Sequence, residues 1–329
     1  MKKIAVFSTK PYDKAFLDRA NTPTRMQLDY FETRLKRESV KLVEGYDAVS
    51  CFVNDIVDES VLQCLVDMGI SLIVLRCAGF NNVDLAAAQR LGVQVSRVPS
   101  YSPESVAEHA VAMMLALNRK INKAYNRVKE HNFDLDGLMG FNMQQATIGV
   151  IGTGKIGLAA LRALRGFGST LLCHDPYPND EAAALADYVP LDTLFRTCDI
   201  ISLHCPLMES TYHLIDKTSI AQMKDGVMLI NTSRGALLNA QDALDGMKQG
   251  KIGYLGLDVY ELEGELFFRD LSDRVMHDDV FGLLLSYHNV LVTGHQGYFT
   301  REALTEIAQT TLNNVEAHFS GRRTGNELF

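Results

Sequence analysis

Thr147-Ile148-Gly149-Val150-Ile151-Gly152-Thr153-Gly154-Lys155-Ile156-Gly157 is the stretch on which the fold turns. A short β-branched run, predicted as a strand over 147–151, leads directly into G-x-G-x-x-G, and a helical pattern over 155–167 follows. Each glycine has a task. Gly152 makes the tight turn, Gly154 lets backbone approach a pyrophosphate, and Gly157 allows close packing of helix on strand. The helix N-terminus then offers free N–H groups and a partial positive charge to phosphate. The next predicted strand, 170–174, ends at Asp175, 18 residues after Gly157. A carboxylate there can hold both ribose hydroxyls of NAD and repels the 2′-phosphate of NADP. Strand, turn, helix, strand and acid together point to NAD binding rather than to a purely structural turn.

Outward from this unit the alternation continues. Strands are predicted over 200–204, 227–231, 254–258 and 290–292, with helices over 191–197, 216–223 and 239–249 and a last amphipathic helix over 301–319. The first hundred residues repeat the pattern, with strands at 4–7, 48–53, 71–75 and 93–95. Helices at 58–68 and 84–91 each open on an Asp and are followed by a Gly. Such alternation means α/β architecture: two doubly wound parallel-sheet domains, with the active site expected in the crevice between them. At Pro99-Ser100-Tyr101-Ser102-Pro103 the pattern breaks, and a helix starts that is predicted to reach about residue 131. It is apolar on most faces, so it lies either deep in a core or in a subunit interface; the sequence favours the interface.

Composition narrows the function classes. A chain of 329 residues has room for two domains, and 47% hydrophobic with 22% charged residues is the balance of a globular protein. Forty acidic against thirty-two basic residues give a net charge of −8, which disfavours nucleic acid and anionic membrane as partners. The longest uncharged run, 280–300, carries Asn289, Gln296, three glycines and two histidines and is no bilayer span. The opening apolar stretch is too short for a signal segment. Six cysteines without a C-x-x-C pair read as reduced thiols in a cytoplasmic protein, and no metal is expected.

Ligands of doubly wound sheets bind at the C-terminal strand ends. After 227–231 comes Thr232-Ser233-Arg234-Gly235; after 254–258, Val259-Tyr260-Glu261-Leu262-Glu263; after 290–292, Thr293-Gly294-His295-Gln296. Three successive strand ends thus present a cation, a carboxylate and an imidazole. The set suits hydride transfer to a 2-oxo acid. Arg234 can grip a carboxylate and polarise the neighbouring carbonyl, His295 can donate a proton to the carbonyl oxygen, and Glu263 can support the imidazole from its other nitrogen. Each of the three, met singly, also fits a surface or core role; behind a dinucleotide motif they read as one site.

With these residues in view, the chain resembles the D-isomer-specific 2-hydroxyacid dehydrogenases, and within them the bacterial fermentative D-lactate dehydrogenases. The likeness is carried by Leu75-Arg76-Cys77-Ala78-Gly79-Phe80-Asn81-Asn82-Val83-Asp84, Val98-Pro99-Ser100-Tyr101-Ser102-Pro103, the glycine-rich turn, His204-Cys205-Pro206-Leu207, and the strand ends at 231–235, 258–263 and 293–295. It implies a catalytic triad of Arg234, Glu263 and His295, with D-x-[YF]-E-x-E selecting Glu263 over Glu261. It implies substrate contacts at Ala78, Gly79, Tyr101 and Tyr298. Cofactor contacts are implied at Gly152, Gly154, Lys155, Ile156, Gly157, Asp175, Cys205, Pro206, Thr211, Thr232, Ser233, Arg234 and Asp258. Thr211 stands where close relatives usually carry Asn. The family arrangement puts a substrate domain at 1–100 plus 300–329 and an NAD-binding domain at 101–299, in a homodimer or homotetramer. The implied reaction is NADH-dependent reduction of pyruvate to D-lactate. The alternatives are another small 2-oxo acid as substrate, or an NADH-sensing co-repressor on the same fold, which would not require the complete triad.

Overall fold

The computed structural model describes residues 1–329, apart from the side chain of Glu265. The chain forms two compact units, Met1–Ser102 with Phe299–Phe329, and Pro103–Tyr298. The first unit holds a five-stranded sheet of β1 (Lys2–Val6), β2 (Met26–Tyr30), β3 (Ala48–Cys51), β4 (Leu72–Leu75) and β5 (Gln94–Ser96), in the order β2-β1-β3-β4-β5. All four pairings are parallel, as helical crossovers require. Helix Leu85–Leu91 opens on Asp84, whose side chain accepts the Ala87 N–H, and closes on left-handed Gly92. Helix Arg301–Phe319 brings the chain back, burying Ala308, Leu312 and Val315 among Ile4, Val6, Leu17, Leu72 and Val74.

The second unit holds β6 (Thr147–Ile151), β7 (Thr170–His174), β8 (Asp187–Tyr188), β9 (Ile200–Leu203), β10 (Val227–Asn231), β11 (Ile252–Leu257) and β12 (Val290–Val292). Their order is β12-β11-β10-β9-β6-β7-β8, a doubly wound sheet whose direction of growth reverses beside β6. Apolar clusters fill both faces, one around Leu203, Leu229, Leu244 and Leu255, the other around Met113, Val150, Leu161 and Ile230. The expected α/β class with two parallel sheets is borne out.

The helix expected to run to about 131 is two. Pro103–Asn118 ends where Lys120 takes a left-handed conformation (φ +50°), and Ile121–Lys129 restarts beyond it. The Asn118 amide enforces the break by donating to the Phe141 carbonyl and accepting the Phe141 N–H, each at 2.8 Å. The first helix buries Ala110, Met113, Met114 and Leu117 within its own unit, so these side chains belong to a core, the other of the two places expected for them. Exposed apolar side chains lie instead on the second helix and the segment after it, at Tyr125, Phe133, Leu135 and Met139.

Candidate active site

The register of the second sheet aligns the strand ends. Ile151 pairs with Leu203, Leu203 with Asn231, Asn231 with Leu257, and Leu257 with Val292. The next residues, Gly152, His204, Thr232, Asp258 and Thr293, therefore form one row at the C-terminal rim.

Gly152 has φ +97°, and a Cβ there would fall 2.5 Å from the Cys205 nitrogen. A Cβ on Gly157 would lie 1.9 Å from the Gly152 carbonyl oxygen, so the first turn of the helix can pack on the loop only without a side chain. Gly154 differs: nothing lies within 4 Å of its Cβ position, and it opens helix Lys155–Arg165 towards free space. The Asp175 carboxylate accepts the Thr153 N–H at 2.7 Å and the Tyr177 N–H at 2.9 Å, which fixes it beside the turn. The Thr153 hydroxyl lies 2.7 Å from the Tyr188 hydroxyl and braces the turn from behind. An open cradle at a helix N-terminus, an adjacent half-buried carboxylate and a buried Thr232 hydroxyl without a partner among the described residues fit a dinucleotide. Of the other cofactor candidates, Lys155 and Pro206 are exposed and Ile156 is half-buried. Cys205 is buried, with its thiol pushed up to about 11 by burial, so it is a neutral wall. Thr211 spends its hydroxyl on its own turn, donating to Pro206 O at 2.7 Å and accepting the Met208 N–H.

Arg234 follows a tightly held turn. The Asn231 amide donates to Arg234 O at 2.8 Å and accepts the Ser233 N–H, while Ser233 Oγ donates to Cys205 O at 2.7 Å. A Cβ on Gly235 would lie 2.1 Å from the Tyr260 carbonyl carbon and 2.3 Å from Glu261 N, so the Arg234 loop rests directly on the β11 loop. The guanidinium donates to Ser233 O, and no carboxylate among the described residues pairs with it.

Glu263 begins the short helix Glu263–Leu266, and its Oε1 lies 2.9 Å from His295 Nδ1. Glu263 Oε2 also accepts the Tyr260 N–H at 3.0 Å, which holds the carboxylate in place. Both side chains are about a fifth exposed, at 24% and 18%. Glu261, the other acid of the loop, is occupied elsewhere, 2.7 Å from His213 Nε2. His295 has φ +56°, and its N–H donates to the Asp258 carbonyl at 2.7 Å. The Asp258 side chain, 1% exposed, accepts from Thr293 Oγ1 at 2.5 Å and from the Gln296 and Gly297 N–H groups at 2.8 Å. Burial alone would raise its carboxyl; hydrogen bonds from His109, Thr293 and Gln296 outweigh that and hold it below the ordinary carboxylate range. Asp258 therefore shapes the loop that carries His295. Tyr298, 7% exposed, stands edge-on to the imidazole.

Sequence reasoning passed over His109, whose Nε2 lies 3.0 Å from Thr293 Oγ1 and 3.3 Å from Asp258 Oδ1. A lone histidine in an apolar helix gave no signal. In the first unit, Ala78 and Gly79 follow β4, with Ala78 O accepting from Arg97 Nη1 at 2.9 Å and Gly79 O facing Cys77 Sγ. Buried Arg76 ties this end to β1, donating to Phe7 O at 2.8 Å, and to β3 through Ser50. Tyr101 lies in the same unit, half-buried.

The family description "D-isomer specific 2-hydroxyacid dehydrogenase, NAD binding domain" matches residues 111–297. The chain is 53% identical over 327 residues to a D-lactate dehydrogenase of Escherichia coli (strain K12), covering 99% of each chain. A solved structure described as the pyruvate reductase of Chlamydomonas reinhardtii is 45% identical, with a TM-score of 0.94 over 99% of this chain and 98% of that one. The NAD-complexed form of a D-isomer specific 2-hydroxyacid dehydrogenase from Lactobacillus delbrueckii ssp. bulgaricus is 27% identical, with a TM-score of 0.82 and full coverage of both chains. Fold and sequence thus define an NAD-binding oxidoreductase. The chain belongs to the D-isomer specific 2-hydroxyacid dehydrogenase family.

Proposed function

We propose that this protein reduces pyruvate to D-lactate. The observation that carries the reading is the Glu263–His295 pair at 2.9 Å, on a rim that also bears Arg234, in a chain 53% identical to a D-lactate dehydrogenase. Bound NADH supplies the hydride. Gly152, Gly154, Lys155, Ile156 and Gly157 hold its phosphates, Asp175 its ribose, and Cys205, Pro206, Thr211, Thr232, Ser233, Arg234 and Asp258 border it. Arg234 binds the substrate carboxylate and polarises the carbonyl. Ala78 and Gly79 offer backbone N–H groups to the carboxylate, and Tyr101 and Tyr298 limit the side chain to a small group. His295 gives the proton from Nε2 to the carbonyl oxygen, while Glu263 on Nδ1 fixes the ring. In the reverse direction the same nitrogen removes the hydroxyl proton of D-lactate.

On this reading the unit Met1–Ser102 with Phe299–Phe329 is the substrate domain and Pro103–Tyr298 the NAD-binding domain. The protein works in the cytoplasm, a reading supported by its six free thiols. The exposed Tyr125, Phe133, Leu135 and Met139 support assembly as a homodimer or homotetramer. Light scattering on Leu135→Arg tests that point: a smaller particle is expected, and an unchanged mass removes this surface from the interface. The central test is turnover with NADH and a panel of 2-oxo acids, with chiral analysis of the product. D-lactate as the fastest-formed product is expected; L-product or a bulky 2-oxo acid as best substrate would overturn the assignment.

A further inference from the structure

Two large residues of the second unit adopt left-handed backbone within reach of each other, His295 at φ +56° and Phe268 at φ +63°. For a bulky L-residue that conformation is strained, and such strain persists where the surroundings over-determine it. The surroundings of Phe268 do so. Phe267 N–H donates to Glu263 O at 2.8 Å, closing the turn of helix Glu263–Leu266, and the Phe267 ring is buried with Ala240, Tyr260 and Phe281. The chain is thus anchored at Glu263 and again at Phe267. The left-handed step that follows throws the Phe268 ring back against the imidazole of His295, with centroids 5.9 Å apart and planes tilted by 38°. Tyr298 meets the same imidazole edge-on, at 6.4 Å and 81°.

The χ2 torsion of a histidine is broad and two-fold, so a half-turn exchanges Nδ1 for a carbon and destroys the bond to Glu263. That single bond lies at a partly exposed site where water competes for both partners. We propose that Phe268 is a positioning residue for the reaction: with Tyr298 it walls the imidazole, so that Nδ1 stays on Glu263 and only Nε2 faces the substrate. One short helix therefore contributes both restraints, Glu263 at its start and Phe268 just past its end.

The inference rests on His295 as the proton donor, and the two can fail separately. Phe268→Ala should lower kcat by about tenfold or more, as small misplacements of reacting groups do, with the KM for pyruvate changed far less. Phe268→Tyr, which keeps the ring, should recover most of the loss. Phe268→Gly should lose activity like the alanine variant without a lower Tm than it, because glycine accepts the left-handed backbone. Nitrogen-15 NMR of the enzyme without cofactor should show a single neutral tautomer of His295, protonated on Nδ1, in the wild type. In Phe268→Ala both tautomers should appear. A kcat within twofold of wild type in the alanine and glycine variants, a loss confined to KM, or an unmoved tautomer would overturn the proposal. An active His295→Asn would instead sink the proton-donor reading, and leave the tautomer result to speak for Phe268 alone.

Discussion

Replacing Gly235 with alanine tests whether the two loops of the rim must touch. Its Cβ would lie 2.1 Å from the Tyr260 carbonyl carbon and 2.3 Å from both Tyr260 O and Glu261 N. All three atoms are backbone, and Tyr260 is anchored on its far side, packed on Phe281 and donating its hydroxyl to Asp278 at 2.8 Å. No side-chain tip can swing away. Restoring ordinary contact requires the Arg234 loop and the Glu261–Glu263 loop to part by about 1.3 Å, and misplacement on that scale costs on the order of a hundredfold in rate. The glycine-rich turn takes no part in this contact, but Thr232, Ser233 and Arg234 on the shifted loop border the cofactor, so NADH affinity should fall, though far less than kcat/KM. The assay pairs steady-state kcat/KM for pyruvate with a fluorescence titration of NADH, at matched Tm. Activity within threefold of wild type in a folded Gly235→Ala would refute the claim that the spacing of these loops sets the catalytic geometry.

Arg234→Lys keeps the charge but loses the planar fork, and should cost about a hundredfold or more in kcat/KM, measured by initial rates; a near-normal lysine variant removes Arg234 from the site. Asp175→Ala should narrow the preference for NADH over NADPH by about tenfold, read as the ratio of kcat/KM values, and an unchanged ratio means that another group reads the ribose. His204 predicts a pH dependence of stability. Burial pushes its imidazole down to about 4 from 6.5, because Nδ1 is enclosed without a partner while Nε2 sits 2.8 Å from Ser202 Oγ. Between those values the unfolded chain binds the extra proton, so stability falls as pH drops from 6.5 towards 4. The ceiling is about 3 kcal/mol, and about 2 kcal/mol for a ring that keeps some exposure. Urea melts of wild type and His204→Gln across that range should diverge in slope; parallel curves would show that His204 does not titrate there.

The second sheet was legible because its strands are β-branched runs closed by turn residues; four of the predicted spans, among them 147–151 and 290–292, coincide with the strands found. What escaped was weakly marked. β2 is an edge strand with four of five residues only half-buried and an Asp among them, so neither alternation nor a hydrophobic run announces it. Helix Pro11–Ala20 buries only Leu17 fully. Helix Asp279–Ser286 did carry a signal, the Asp278 cap that accepts the Phe281 N–H, but most of it lies in the uncharged run 280–300, weighed only as a membrane span. The break at Lys120 could not be read at all, since it depends on Asn118 meeting Phe141 across more than twenty residues. At the site, strand-end position brought out Arg234, Glu263 and His295. Asp258 shows in the sequence only as a cofactor contact; its hold on the His295 loop, like the contacts of Gly235, His109 and Phe268, is long-range and not encoded in spacing.

The return of helix Arg301–Phe319 to the first sheet has a consequence for synthesis. The Pro103–Tyr298 unit is one continuous segment, whereas the unit around β1 is split in sequence by nearly two hundred residues. On the ribosome the inserted unit can complete its core while the earlier one still lacks Ala308, Leu312 and Val315, leaving Ile4, Val6 and Leu72 uncovered. Residues made before the inserted unit are thus secured after it. Loss of a short C-terminal stretch should strike the N-terminal sheet first, and leave the dinucleotide fold comparatively intact.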